Sequence, residues 1–280
     1  MAERHVSRRD RAALWAIVVL TVAVSFFPVV WLALTSLKPA ADIYAWPVVL
    51  WPSPFTFENY LTIFRESREL LRYIANSFIV ATATTAVILA AGGLAAYSLT
   101  RLAYRGRGVV LIAMLGVAMF PPIALLPSLF DGFLRLGLLN TYTAIVLGHT
   151  GLYLPTAVWI LASFYRTIPM DLEEAARIDG ASTLRIFWSI ILPLSTPGLI
   201  ATGLIVFIMS WNEFPLALVL GSSDAMRTAP VGISLFPGEF SFPWEIISAA
   251  TVLAVLPVVI LSAIFQHRII GVLTAGASKS

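Results

Sequence analysis

Thr167-Ile-Pro-Met-Asp-Leu-Glu-Glu-Ala-Ala-Arg-Ile-Asp-Gly-Ala-Ser-Thr-Leu-Arg-Ile-Phe-Trp-Ser-Ile-Ile-Leu-Pro-Leu194 stands between two long apolar runs. Thr167 can cap a helix with Pro169 in its first turn. Asp171, Glu173 and Glu174 then sit near the positive end of the helix dipole. Glu173 and Arg177 form an i,i+4 pair, and Leu172, Ala175 and Ala176 share one small apolar face. Gly180 is placed to stop the helix in a left-handed conformation. Ser182 or Thr183 starts a second short helix, with Leu184, Phe187, Trp188 and Ile191 at helical spacing, and Pro193 ends it. Two short helices joined by a glycine turn present a small face with an acidic rim. Such a face admits close approach by a partner, and it reads as a docking element rather than a catalytic one.

The surroundings place this element beside a membrane. Of 280 residues, 59% are hydrophobic and 12% charged, with mean hydropathy +0.89. A soluble domain carries about 25% charged residues, so an ordinary soluble globule, a disordered chain and a nucleic-acid binder are excluded. A spanning helix needs about 20 apolar residues. Six runs qualify: 14–36, 77–100, 109–130, 142–164, 198–220 and 246–266. They are continuous, unlike the short alternating strands of a barrel. The first follows Arg4, Arg8, Arg9 and Arg11 and is longer than a signal-peptide core, so it is expected to be a retained helix.

With six spans and the N-terminus inside, the inner segments hold Arg4, Arg8, Arg9, Arg11, Arg101, Arg105, Arg107, Arg166, Arg177, Arg185, Arg268 and Lys279. The outer ones hold only Lys38, Arg65, Arg68, Arg72, Arg135 and Arg227. This bias puts both termini in the cytoplasm. The expected architecture is an all-α membrane protein, residues 1–280 forming one transmembrane domain with the 165–196 loop inside. The outer segment 37–76 carries tryptophans suited to an interface, then a charged amphipathic stretch (Phe64, Leu71 and Ile74 against Arg65, Glu66, Arg68, Glu69 and Arg72) expected to lie on the outer surface as a short helix.

Several chemistries have no residues to run on. There is no cysteine, and His5, His149 and His267 are far apart, so no metal site is expected. The two lysines, Lys38 and Lys279, follow Leu37 and Ser278, so the chain has no P-loop and no ATPase motif of its own. Intramembrane polar residues are functional candidates. Glu213, with Trp211 and Asn212, could line a translocation path or sit at a helix contact. His149 and Tyr153 fall on one face with Tyr142, although a histidine bonded to a backbone carbonyl is the plainer reading. Thr82, Thr84 and Thr85 are expected to bond their own helix.

The string Glu174-Ala175-Ala176-x-x-x-Gly180, followed after nine residues by Ile190-x-Leu192-Pro193, resembles the EAA motif of ABC importer permeases. Ala176-Arg-Ile-Asp-Gly-Ala-Ser, Trp211-Asn-Glu-Phe, Ser36-Leu-Lys and the tail from Gln266 are similar to the carbohydrate, maltose-permease-G-like branch. The resemblance implies the type I importer (MetI-like) permease fold in the bacterial cytoplasmic (inner) membrane. It implies a sugar importer subunit with a second homologous permease, two ATPase subunits and an extracytoplasmic solute-binding protein. ATP and Mg would sit on the ATPase, and no cofactor on this chain. Glu173, Glu174, Ala175, Ala176, Asp179 and Gly180 would belong to the ATPase-coupling loop, with Gly276 and Ala277 in a tail that contacts the ATPase. The same fold importing a glycerol-phosphate-type ester is the nearest alternative. An ion-gradient-driven transporter would leave the docking loop unexplained, and an intramembrane protease lacks a nucleophile turn.

Overall fold

The computed structural model describes residues 8–236 and 242–277, with side chains for 11–236 and 242–265. All regular structure among them is helical. In chain order the helices are α1 (Arg8–Thr35), α2 (Ala40–Ile43), α3 (Glu58–Arg65), α4 (Arg68–Arg101), α5 (Arg107–Ala118), α6 (Pro122–Arg135), α7 (Tyr142–Thr167) and α8 (Asp171–Ile178). They continue as α9 (Thr183–Ile186), a π-turn (Phe187–Ile191), α10 (Leu192–Leu194), α11 (Thr196–Trp211), α12 (Pro215–Leu220), α13 (Ala229–Ser234) and α14 (Trp244–Ala277).

Among the described residues, four helices are long and apolar enough to cross a membrane: Arg11–Thr35, Arg68–Arg101, Tyr142–Thr167 and Trp244–Phe265. Two bent pairs bring the number to six if each counts as one crossing. The run 109–130 is one such pair, α5 and α6 meeting at 96°. Pro121 and Pro122 withhold successive N–H groups, and the residue before each is driven out of the α region. The other pair joins Thr183–Leu194 to α11 at 77°. The helix ends one residue beyond Pro193, at Leu194, close to where the proline was expected to end it. Leu192 N–H reaches back five residues to the Phe187 carbonyl, and this widened turn carries the chain past the proline to Ser195.

Two compact units are present, one of the described residues up to Arg68 with Phe236–Val255, the other of Glu69–Leu235 with the residues from Leu256. In the first, no residue of α1 from 11 to 30 is buried. An apolar helix exposed all round suits lipid, because its own ladder satisfies its backbone. Asn59 Nδ2 donates to the carbonyls of Ser36 (2.8 Å) and Lys38 (2.9 Å), tying α3 to the end of α1. The charged stretch expected as a short surface helix is divided: α3 ends at Arg65, and Arg68 opens the 34-residue α4.

The second unit is built on α4, α7 and α11. Gly92 lets α7 approach α4, since a Cβ there would stand 3.2 Å from Leu154 Cδ1. Gly198 does the same for α11, where a Cβ would lie 2.5 Å from the Phe164 ring. Val158, Leu161, Tyr165, Ile186, Phe187 and Ile191 fill the core below, beside the quoted loop.

Candidate functional site: the docking loop and the polar residues above it

Helix α8 starts later than its sequence suggests. Thr167 closes α7, its hydroxyl donating to the Phe164 carbonyl at 2.7 Å. The Met170 carbonyl accepts from Glu173 N (2.9 Å) and Glu174 N (3.1 Å), so the start has no side-chain cap. The end follows expectation. Gly180 has φ +82°, Ala181 N–H bonds the Ala176 carbonyl at 2.9 Å, and Gly180 N–H bonds that of Arg177 at 3.0 Å, a glycine-terminated cap. Ser182 accepts from Arg185 N at 3.4 Å.

The acidic rim is redistributed. Glu174, Ala175, Asp179 and Gly180 are exposed and Ala176 is half-buried, but Glu173 is wholly buried. Its carboxylate lies 3.1 Å from Arg101 Nε and accepts from the Tyr97 hydroxyl at 3.2 Å. The i,i+4 partner Arg177 is farther, at 3.8 Å. Arg101 ends α4, and its guanidinium also donates to the Tyr165 and Ile168 carbonyls at the end of α7 and to Met170 Sδ. One cation thereby joins α4, α7 and α8. Sequence reasoning did not pair Arg101 with Glu173, because the contact spans 72 positions and the local Arg177 already offered a partner.

The outward side of the loop is apolar. Ile178 is 86% exposed, and Leu172, Leu184 and Trp188 are exposed with it. Leu184 and Trp188 were expected beside Phe187 and Ile191 on one face. The structure instead buries Ile186, Phe187 and Ile191, and Leu184 and Trp188 face away from that core. An exposed cluster of this kind marks an interaction surface.

Higher in α7 and α11, His149 is fully buried, with Nδ1 2.8 Å from Ser210 Oγ and Nε2 3.1 Å from Glu213 Oε2. Both partners are side chains, not a backbone carbonyl. Glu213 accepts from the N–H groups of Leu216 (2.7 Å) and Ala217 (2.9 Å). It thus caps α12, where the broken helix exposes unpaired donors. The Tyr153 hydroxyl donates to the Met209 carbonyl at 3.2 Å, and Trp211, buried, stacks on Phe207. Tyr142 donates to Asn76 Oδ1 at 2.6 Å. Thr85 bonds the Ala81 carbonyl of its own helix, as expected, whereas the buried Thr84 hydroxyl departs from that expectation and has no partner among the described residues. Of the Trp211-Asn-Glu-Phe segment, Asn212 alone is exposed, its amide bonded to the Ile208 carbonyl. Gly276 and Ala277 fall in the last turn of α14, where side chains lie outside the described residues.

At the other end of α4, the loop after α12 is fastened by Arg72, which the sequence placed on a charged surface stretch, and by Tyr73, Asn76 and Ser77, which it gave no such role. Asp224 accepts from Arg72 and from the Tyr73 hydroxyl. Asn76 Nδ2 donates to the carbonyls of Ala225 (2.9 Å) and Arg227 (2.8 Å), and Ser77 Oγ accepts from Ala229 N at 2.8 Å.

Residues 88–270 match the family described as "Binding-protein-dependent transport system inner membrane component". The chain is 42% identical, over 90% of its length and 88% of the relative's, to the sulfoquinovosyl glycerol transport system permease protein SmoH of Agrobacterium fabrum. It is 39% identical to the trehalose/maltose transport system permease protein MalG of Thermococcus litoralis, over 93% of this chain and 94% of that one. Its fold is similar to a chain of a bacterial ABC transporter involved in importing the acidic polysaccharide alginate: TM-score 0.81, 23% identity, 93% of this chain and 98% of that one covered.

Proposed function

The chain belongs to the binding-protein-dependent transport system inner membrane component family, in its carbohydrate ABC-importer branch, and from that premise we propose that it conducts a sugar delivered by an extracytoplasmic binding protein. It is a multi-pass permease of the inner membrane, a transporter subunit rather than an enzyme. The relatives named above carry glycosides by their names, which supports a glycoside here. A second permease, two ATPase subunits and a binding protein complete the assembly. In this reading each bent pair is one crossing, giving six spans with both termini in the cytoplasm, and ATP and Mg act on the ATPase.

The observation that carries the reading is the loop itself: α8 is exposed and apolar on its outward side, yet fixed from within by buried Glu173. Glu174, Ala175, Ala176, Asp179 and Gly180 form the ATPase-docking face, with Ile178 and Leu184 as apolar anchors. Gly276 and Ala277 reach the same partner. Glu173 takes the other role, passing displacement of α8 through Arg101 into α4 and α7. Above, His149, Ser210 and Glu213 hold the break between α11 and α12, with Tyr153 and Trp211 packed beside them. Asn212, exposed at that break, is the member of the group that meets solute on the path.

The test is purification of the tagged complex in mild detergent. An ATPase and a second permease should accompany the wild-type chain, and binding protein loaded with trehalose or maltose should stimulate ATP hydrolysis. Ala176→Asp should abolish ATPase recovery while leaving the second permease bound. A chain recovered alone and folded, or an Ala176→Asp chain that keeps its ATPase, would overturn the reading.

A further inference from the structure

Lys38 follows the apolar helix α1, yet it is only 3% exposed. Its ammonium donates to the Val49 carbonyl at 2.7 Å and stands 4.3 Å above the Trp31 ring. Among the described residues no carboxylate lies within the 4 Å of an ion pair. An ammonium has three donors, and a buried cation without a counter-charge is costly. Such a group calls for an anion.

The space for one adjoins it. A cavity of about 320 Å³ is lined by Trp31, Thr35, Lys38, Asp42, Trp244 and Ser248, room for about ten water-sized groups. The Thr35 hydroxyl is buried without a hydrogen-bond partner. The wall therefore offers one cation, one carboxylate, two hydroxyls and two indole rings.

Depth decides which anion. Arg11 and Trp31 are twenty residues apart on α1, about 30 Å at 1.5 Å per residue, which is the thickness of the hydrocarbon core. If Arg11 marks one interface, Trp31 and the cavity lie at the headgroup level of the other, with exposed Trp46 and Trp51 as aromatic belt. Below the cavity, Val24, Phe26 and Phe27 of α1 are exposed and suit acyl chains.

We propose that this cavity is a binding site for the headgroup of an amine-bearing phospholipid, with its phosphate on Lys38 and its ammonium on Asp42. The test reads lipid retention and does not depend on transport.

The assembled complex is exchanged into detergent until free of lipid, then incubated with phosphatidylethanolamine, phosphatidylglycerol, diacylglycerol or trehalose, and examined by native mass spectrometry. One phosphatidylethanolamine per chain should be retained, with diacylglycerol and trehalose lost. Lys38→Met should weaken retention at least about tenfold, the worth of a charge-assisted contact. Asp42→Asn, which leaves Lys38 on Val49, should remove the preference for ethanolamine over glycerol headgroups. Diacylglycerol held as well as phospholipid, trehalose held in its place, or unchanged retention in Lys38→Met would overturn the proposal. If Lys38→Met fails to assemble, the comparison of phospholipid with diacylglycerol on the wild-type complex decides the matter alone.

Discussion

Removing Arg101 would leave the buried carboxylate of Glu173 with only the Tyr97 hydroxyl and the more distant Arg177, the Arg101 and Glu173 side chains being 4% and 0% exposed. Breaking such a buried pair costs about 3–5 kcal/mol, whereas replacing both charges by apolar groups can be nearly neutral. Arg101→Met should therefore lower the melting temperature of the purified complex sharply. The double variant Arg101→Met/Glu173→Met should recover most of that loss, yet lower the sugar transported per ATP, since the joint between α8 and the spanning helices is gone. A double variant with wild-type coupling would remove Glu173 from the transmission. Gly232 gives a second residue-scale case. A Cβ there would come within 1.9 Å of the Tyr73 ring, and overpacking costs about 1–3 kcal/mol. Gly232→Ala should accordingly destabilise the loop after α12, seen as faster limited proteolysis there, with little change in ATPase recovery.

At the scale of elements, Gly180 separates conformation from crowding. Nothing stands within 4 Å of a Cβ built on it, but its φ is +82°. A branched side chain meets only the backbone penalty, about 1–2 kcal/mol. Gly180→Ala should keep most ATPase recovery in a pull-down and Gly180→Val should lose more; equal recovery from both would show that the turn does not set the docking geometry. The same loop shows what a sequence yields. Gly180 and the Ser182 cap were legible because their causes are local, a left-handed residue and a side chain three positions from its donor. The start of α8 was not, because Thr167 had a competing partner in its own helix at Phe164. The helix end beside Pro193 was legible from the proline, but the π-turn before it was not, because composition does not announce one. The break at Pro121-Pro122 has a local signal in the proline pair itself, although the hydropathy of the run looks unbroken. Burial of Glu173 and the bond from His149 to Glu213 depend on residues 72 and 64 positions apart, and one sequence supplies no signal at that range.

At the scale of the whole molecule, the absence of cysteine makes crossings countable. Asp179→Cys and Ser223→Cys place single thiols on the docking loop and on the loop after α12, in exposed or half-buried positions. Six spans with cytoplasmic termini predict that a membrane-impermeant maleimide reaches Ser223→Cys in spheroplasts and Asp179→Cys only after permeabilisation. Labelling of both from one side would require a different number of crossings between them.

Helix α4 runs unbroken through 34 residues, about 50 Å, with Arg72, Tyr73, Asn76 and Ser77 fastened to one loop and Tyr97 and Arg101 fastened to another. A geneticist would meet this rod as a single locus. Lesions at Asp224 and at Glu173, remote in sequence and on opposite ends of the helix, should produce the same uncoupled phenotype. Revertants selected against one should be recovered at the other.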